Sequence, residues 1–118
     1  MGGKFSRSKG CRMERQAVLK FIDEGYIAER EGHFQRFAKG HPDIIIKDGQ
    51  LDWLWVEVKG QEKFLGAKLR KALLQAEDDC EQAGDPFKIP CVVSKESHCK
   101  WYIHLPLDSF FEICRGDL

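Results

Sequence analysis

The stretch Leu51–Lys59 constrains the fold most: a period of two puts Leu54, Val56 and Val58 on one side of an extended strand and Trp53, Trp55, Glu57 and Lys59 on the other. Neither side of such a strand can be left to water, so it asks for cover on both faces, as in a layered α/β sheet. It also sets two charges among tryptophans. Charges are rarely buried unpaired, so a central strand here demands partners for both, whereas an edge strand would leave the charged end in solvent.

The neighbouring segments fit that layered plan. Met13, Ala17, Val18, Phe21 and Ile22 recur at helical spacing between Gly10 and Glu24, and Gly25 stands where a helix C-cap belongs. Tyr26–Glu31 reads as a short strand, and Asp43–Lys47, with three consecutive isoleucines, as a buried one before an Asp48-Gly49 turn. Leu65, Leu69, Ala72, Leu73, Ala76, Cys80 and Ala83 fall on one helical stripe that Gly84 and Pro86 end. Strands at Ile89–Ser94 and Lys100–Leu105 and a short helix at Leu107–Ile113 follow. In that helix Phe110 and Phe111 are apolar enough for a contact between copies, with core packing as the default expectation. The order α-β-β-β-α-β-β-α predicts an α/β fold with a mixed central sheet flanked by helices. At 118 residues and 42% hydrophobic content, a single domain over 1–118 is expected, with residues 1–9 as a flexible basic arm.

Charge and cysteine content narrow the function class. Nineteen basic and nineteen acidic residues cancel, so affinity for nucleic acid must come from local clusters. Lys4, Arg7, Lys9, Arg12, Arg15 and Lys20 form one near the start, with Glu14 as the lone acid among them; Lys63, Lys68, Arg70 and Lys71 form another. No apolar run approaches the roughly 20 residues of a membrane-spanning helix. Five cysteines, an odd number without CxxC spacing, and no signal-peptide-like stretch lead us to expect a reduced, cytoplasmic protein.

Three acidic residues stand in unexpected places. Glu14 falls at the centre of the apolar face of the first helix, between Ala17 and Val18 on the wheel. A carboxylate aimed at a core costs several kcal/mol, on the order of a lost buried ion partner, unless a cation, metal or donor meets it. An arginine salt bridge would suffice. Asp43 follows Gly40-His41-Pro42 and opens the triple-isoleucine strand, where a plain turn or cap role is common. Glu57 and Lys59 share a strand face. Together they suit hydrolysis of a phosphodiester: Asp43 and Glu57 offer hard oxygen ligands to Mg²⁺, Lys59 can orient or deprotonate the attacking water and offset charge at phosphorus, and Glu14, expected to come in from the first helix packed on that same face, adds a further carboxylate.

Pro42-Asp43, thirteen residues, then Glu57-Val58-Lys59 resembles the PD-(D/E)xK nuclease motif. Lys9-Gly10-Cys11-Arg12-Met13-Glu14-Arg15 is similar to the helix-borne signature of Holliday junction resolvases of the archaeal type. The stretches 69–77, 88–93 and 101–113 resemble small phage-encoded members of that family, so the likeness runs over residues 7–115. It implies a restriction-endonuclease-like fold, Mg²⁺-dependent cleavage with Mn²⁺ as a substitute, and a homodimer acting on branched DNA in recombination, repair or phage DNA processing. Glu14, Asp43, Glu57 and Lys59 carry over as site residues, with Asp43, Glu57 and Glu14 toward the metal. Gln75 matches a glutamine on the helix after the ExK strand.

The charge layout agrees with DNA as partner. Arg7, Lys9, Arg12 and Arg15 lead into the helix that bears Glu14, and Lys68, Arg70 and Lys71 extend the basic surface. His33, Arg36, Lys39 and His41 offer further contacts from a polar loop. Other readings stay open. The same core serves nucleases of linear, flapped or nicked DNA, because surrounding loops set substrate geometry. A membrane-anchored adaptor, suggested by an N-myristoylation-like Met1–Ser6, leaves the acidic set unexplained. A non-catalytic zinc module built on Cys91, His98, Cys99, His104 and Cys114 lacks the knuckle spacing.

Overall fold

Helix α1 (Gly3–Asp23) opens the chain and is followed by β1 (Ala28–Arg30), β2 (Ile44–Ile46), β3 (Leu54–Gly60), helix α2 (Ala67–Ala83), β4 (Ile89–Lys95), β5 (Trp101–His104) and helix α3 (Leu107–Arg115). The computed structural model describes residues 3–31, 41–47, 49–60, 66–84, 88–96 and 100–116. His33, Arg36, Lys39, Lys63, Leu65, Pro86, His98 and Cys99 lie outside the described residues, as do the side chains of Arg7 and Lys9. The helix at the start begins at Gly3, so positions 3–9, expected as an arm, belong to α1.

The five strands form one sheet in the order β1-β2-β3-β4-β5. β3 and β4 run parallel, joined across α2, and the other neighbouring pairs are antiparallel. The expected mixed α/β sheet is therefore present, and β3 is its central strand. Glycines close the two long helices: Gly25 (φ 96°) and Gly84 (φ 73°) take left-handed conformations that side chains avoid. The Gly25 N–H donates to the Ile22 carbonyl at 2.9 Å.

The two faces of β3 are covered by different helices. Ala17 and Val18 of α1, with Met13 and Phe21 at the margin, pack on Ile44, Ile46, Leu54, Val56, Val58, Cys91 and Val93. Ala72 and Ala76 of α2 pack on Val92, with Leu69 and Leu73 beside them; the alanines let this helix lie close to the sheet. Ile44, Val56 and Val92 are fully buried, each contributing about 1.5–3 kcal/mol by removal from water. Gly60 tightens the first layer further, since a Cβ there would overlap the Met13 side chain.

Several expectations change. Trp53 does not share the Glu57 face: residues 49–53 form turns, its indole N–H donates to the Gln50 carbonyl at 2.7 Å, and its ring packs on the α1-side core. Helix α1 lies on the Val56/Val58 face, not on the Glu57/Lys59 face from which Glu14 was expected to descend. Phe110 and Phe111 are not core residues. They are 49% and 45% exposed, and α3 contains no buried residue.

Candidate active site

Asp43 is held where β2 meets β3. Its backbone N–H donates to the Val56 carbonyl at 2.9 Å, its carbonyl accepts from the Glu31 N–H at 3.1 Å, and its Oδ2 accepts the Val58 N–H at 2.7 Å. The Asp43 carboxylate thus supplies the acceptor that the Val58 N–H needs beside the ladder. The contacts bracket Glu57, the residue between Val56 and Val58.

Glu57 is buried, 8% exposed, and on a central strand, which removes the edge-strand reading. The Trp55 indole N–H donates to its Oε1 at 3.2 Å, and its carboxyl hydrogen-bonds with that of Asp43. Burial, then the charge of Asp43 and the hydrogen bond with it, push the Glu57 carboxyl up to about 9; the Trp55 donor pulls the other way and Asp79 adds to the rise. The carboxylate of Asp43 beside it disfavours ionisation of Glu57. Cys91, on the other face of the neighbouring strand, is pushed up to about 12 by burial and by the charge of Glu57.

Glu14, on α1, feels the charges of Asp43 and Lys59. Its Oε2 accepts from Arg30 Nε at 3.0 Å, so an arginine does meet the carboxylate on the apolar helix face. Arg30 Nη2 also donates to Cys11 Sγ at 3.1 Å. Burial raises the Glu14 carboxyl above its ordinary value, Asp43 adds to the rise, and Arg30 and Lys59 oppose it. Glu14, Asp43, Glu57 and Lys59 therefore sit within one electrostatic neighbourhood, with Lys59 exposed at the rim.

Gln75 is exposed on α2 and donates to Asp79 Oδ1 at 3.0 Å, and the charge of Asp79 is among those that Glu57 feels. Arg12, Arg15, Lys68, Arg70 and Lys71 are all exposed on their helices. Arg30 was missed at the sequence level, although a buried Glu14 in need of a cation was the signal for it. Among the described residues no three His, Cys, Asp or Glu side chains converge as a ready metal shell. The donors nearest to one are Asp43 and Glu57, and a divalent cation would offset the burial and the Asp43 charge that lift Glu57. Two carboxylates suit Mg²⁺, which keeps most of its waters.

No family model and no curated protein matches the chain. Among solved structures it is similar to Archaeoglobus fulgidus Hjc, a Holliday junction resolvase from an archaeal hyperthermophile, at 23% identity and a TM-score of 0.59, over 82% of this chain and 75% of that one. The two share a fold. No helix of the described residues is long and apolar enough to cross a membrane.

Proposed function

We propose that this protein is a Mg²⁺-dependent, structure-selective DNA endonuclease that resolves four-way junctions as a homodimer. The observation that carries the proposal is the pairing of half-buried Asp43 with buried Glu57 at the junction of β2 and β3, with Lys59 two residues on, in a fold shared with a junction resolvase.

Asp43 and Glu57 would hold the cation, Mg²⁺ or Mn²⁺ in its place, and Glu14 would add negative charge beside them. The bound cation supplies the positive charge that offsets electron density growing on the phosphate oxygens. The Val58 N–H fixes the Asp43 carboxylate, and the Trp55 indole fixes that of Glu57, so neither has to reorganise when substrate arrives. Arg30 holds Glu14 in the same way. Lys59, exposed at the rim, orients the attacking water and balances charge at phosphorus as the new P–O bond forms and the strand's P–O bond breaks. Arg12 and Arg15 on α1, with Lys68, Arg70 and Lys71 on α2, provide phosphate contacts on either side.

The test is cleavage of a labelled immobile four-way junction, beside linear duplex, flap and single-stranded controls of matched sequence, in Mg²⁺ or EDTA. Paired nicks in the junction alone, dependent on Mg²⁺, together with a molar mass of two chains in solution, support the proposal. Cutting of the controls assigns the same site to a nuclease of linear, flapped or nicked DNA, and binding without cutting makes the protein a DNA-binding module.

A further inference from the structure

The strand register carries the candidate site beyond β3. Glu57 is in register with Val92 of β4, and Val92 with His104 of β5; Lys59 is in register with Ser94, and Ser94 with Tyr102. Residues in register point to the same face, so two rows, Glu57–Val92–His104 and Lys59–Ser94–Tyr102, cross the sheet on one side. The side chains agree. Buried Ser94 Oγ hydrogen-bonds with His104 Nε2 at 2.7 Å, and the Tyr102 and His104 rings lie 6.5 Å apart, tilted by 31°.

We propose that Tyr102 and His104 form a stacking platform for an unpaired nucleobase of the DNA whose backbone lies on the Asp43–Glu57 pair, an inference that rests on the nuclease reading above. Tyr102 is 56% exposed, on a face that α2 covers over Val92 but not over β5. Two strand spacings of about 4.8 Å separate β3 from β5, a gap of roughly 10 Å that a splayed nucleotide beside the cleaved phosphate bridges. Lys59 is the only lysine or arginine in either row, and it stands at the catalytic end. The β5 end offers ring faces, the chemistry that takes a base of any sequence. The Ser94 hydroxyl fixes the His104 ring, and burial lowers the His104 imidazole below its ordinary value, which keeps its ring neutral and suited to stacking. A branch point is where a duplex most readily offers an unpaired base.

The experiment uses the full chain in EDTA with a four-way junction carrying 2-aminopurine beside the branch point, and compares wild type with Tyr102→Ala, Tyr102→Phe and His104→Ala. The expected result is a fluorescence change with wild type and Tyr102→Phe that Tyr102→Ala loses and His104→Ala diminishes. Tyr102→Ala should also weaken junction binding about tenfold while binding to a matched linear duplex is kept. Tyr102→Ala with wild-type fluorescence and affinity would overturn the platform, and so would a change in its molar mass, which would make this face a contact between copies. Cleavage in Mg²⁺ is scored separately. Junctions that wild type leaves uncut count against the nuclease reading, whereas the platform stands or falls on the Tyr102-dependent signal in EDTA.

Discussion

Asp43 Oδ2 accepts the backbone N–H of Val58 at 2.7 Å, so the carboxylate that opens β2 is tied to the strand that carries Glu57. A half-buried acid is thereby fixed against a buried one, and the chemistry proposed for the protein follows from that relationship.

The first consequence concerns pH. The folded state holds the Glu57 proton up to about 9, whereas an unfolded chain releases it near the ordinary glutamate value. Between these limits the folded state binds more protons, so its stability is greatest at the acid end and falls as pH rises toward 9. Glu14, also raised, acts in the same direction. Thermal unfolding of metal-free protein from pH 5 to 9 should show a declining midpoint, and Glu57→Gln, which mimics the neutral acid, should flatten much of the decline. Parallel curves for the two proteins would contradict this origin of the pH dependence.

Arg30→Met should leave the Glu14 carboxylate, 13% exposed, without its arginine. A loss of about 1–3 kcal/mol is expected, read by urea denaturation, and the double variant with Glu14→Gln should recover part of it. Full stability in Arg30→Met would show that solvent serves Glu14 equally well.

Gly60→Ala should cost about 1–3 kcal/mol through overlap with the Met13 side chain. Met13→Ala in the same chain should relieve part of that cost. A double-mutant cycle with no coupling between positions 13 and 60 would refute the close packing of α1 on β3.

Arg12→Ala and Lys71→Ala should weaken junction binding across DNA sequences, and each should reduce the log–log salt slope by roughly 0.9 for every phosphate that the native side chain neutralises. Binding titrations across salt concentration measure this. An unchanged slope would remove the residue from the DNA surface.

The order of elements and the central place of β3 were legible in the sequence because burial on both sides leaves a period-two pattern, and Glu57 could be singled out because a charge among apolar neighbours breaks that pattern. Asp43 was legible from Pro42 and the strand start. The pairing of Glu14 with Arg30, sixteen residues apart, was not, since periodicity within an element says nothing about which cation another element supplies. Nor does it say which sheet face a helix covers: α1 packs on Val56 and Val58, the face opposite Glu57. Trp53 kept strand parity in the sequence but falls in a turn, where parity no longer assigns a face. Phe110 and Phe111 carry the hydrophobicity of core residues, yet whether a terminal helix folds onto its own sheet is decided by tertiary geometry that local pattern does not encode.

The role of the Asp43–Glu57 pair is tested most directly by the single-turnover rate of four-way junction cleavage in Mg²⁺ for wild type, Asp43→Asn and Glu57→Gln, with junction affinity measured alongside in EDTA. Each substitution should lower the rate by at least about 100-fold, the scale of losing one preorganised charge-stabilising group, with affinity largely kept. Cleavage at the wild-type rate by either variant would contradict the assignment of that pair as the catalytic centre.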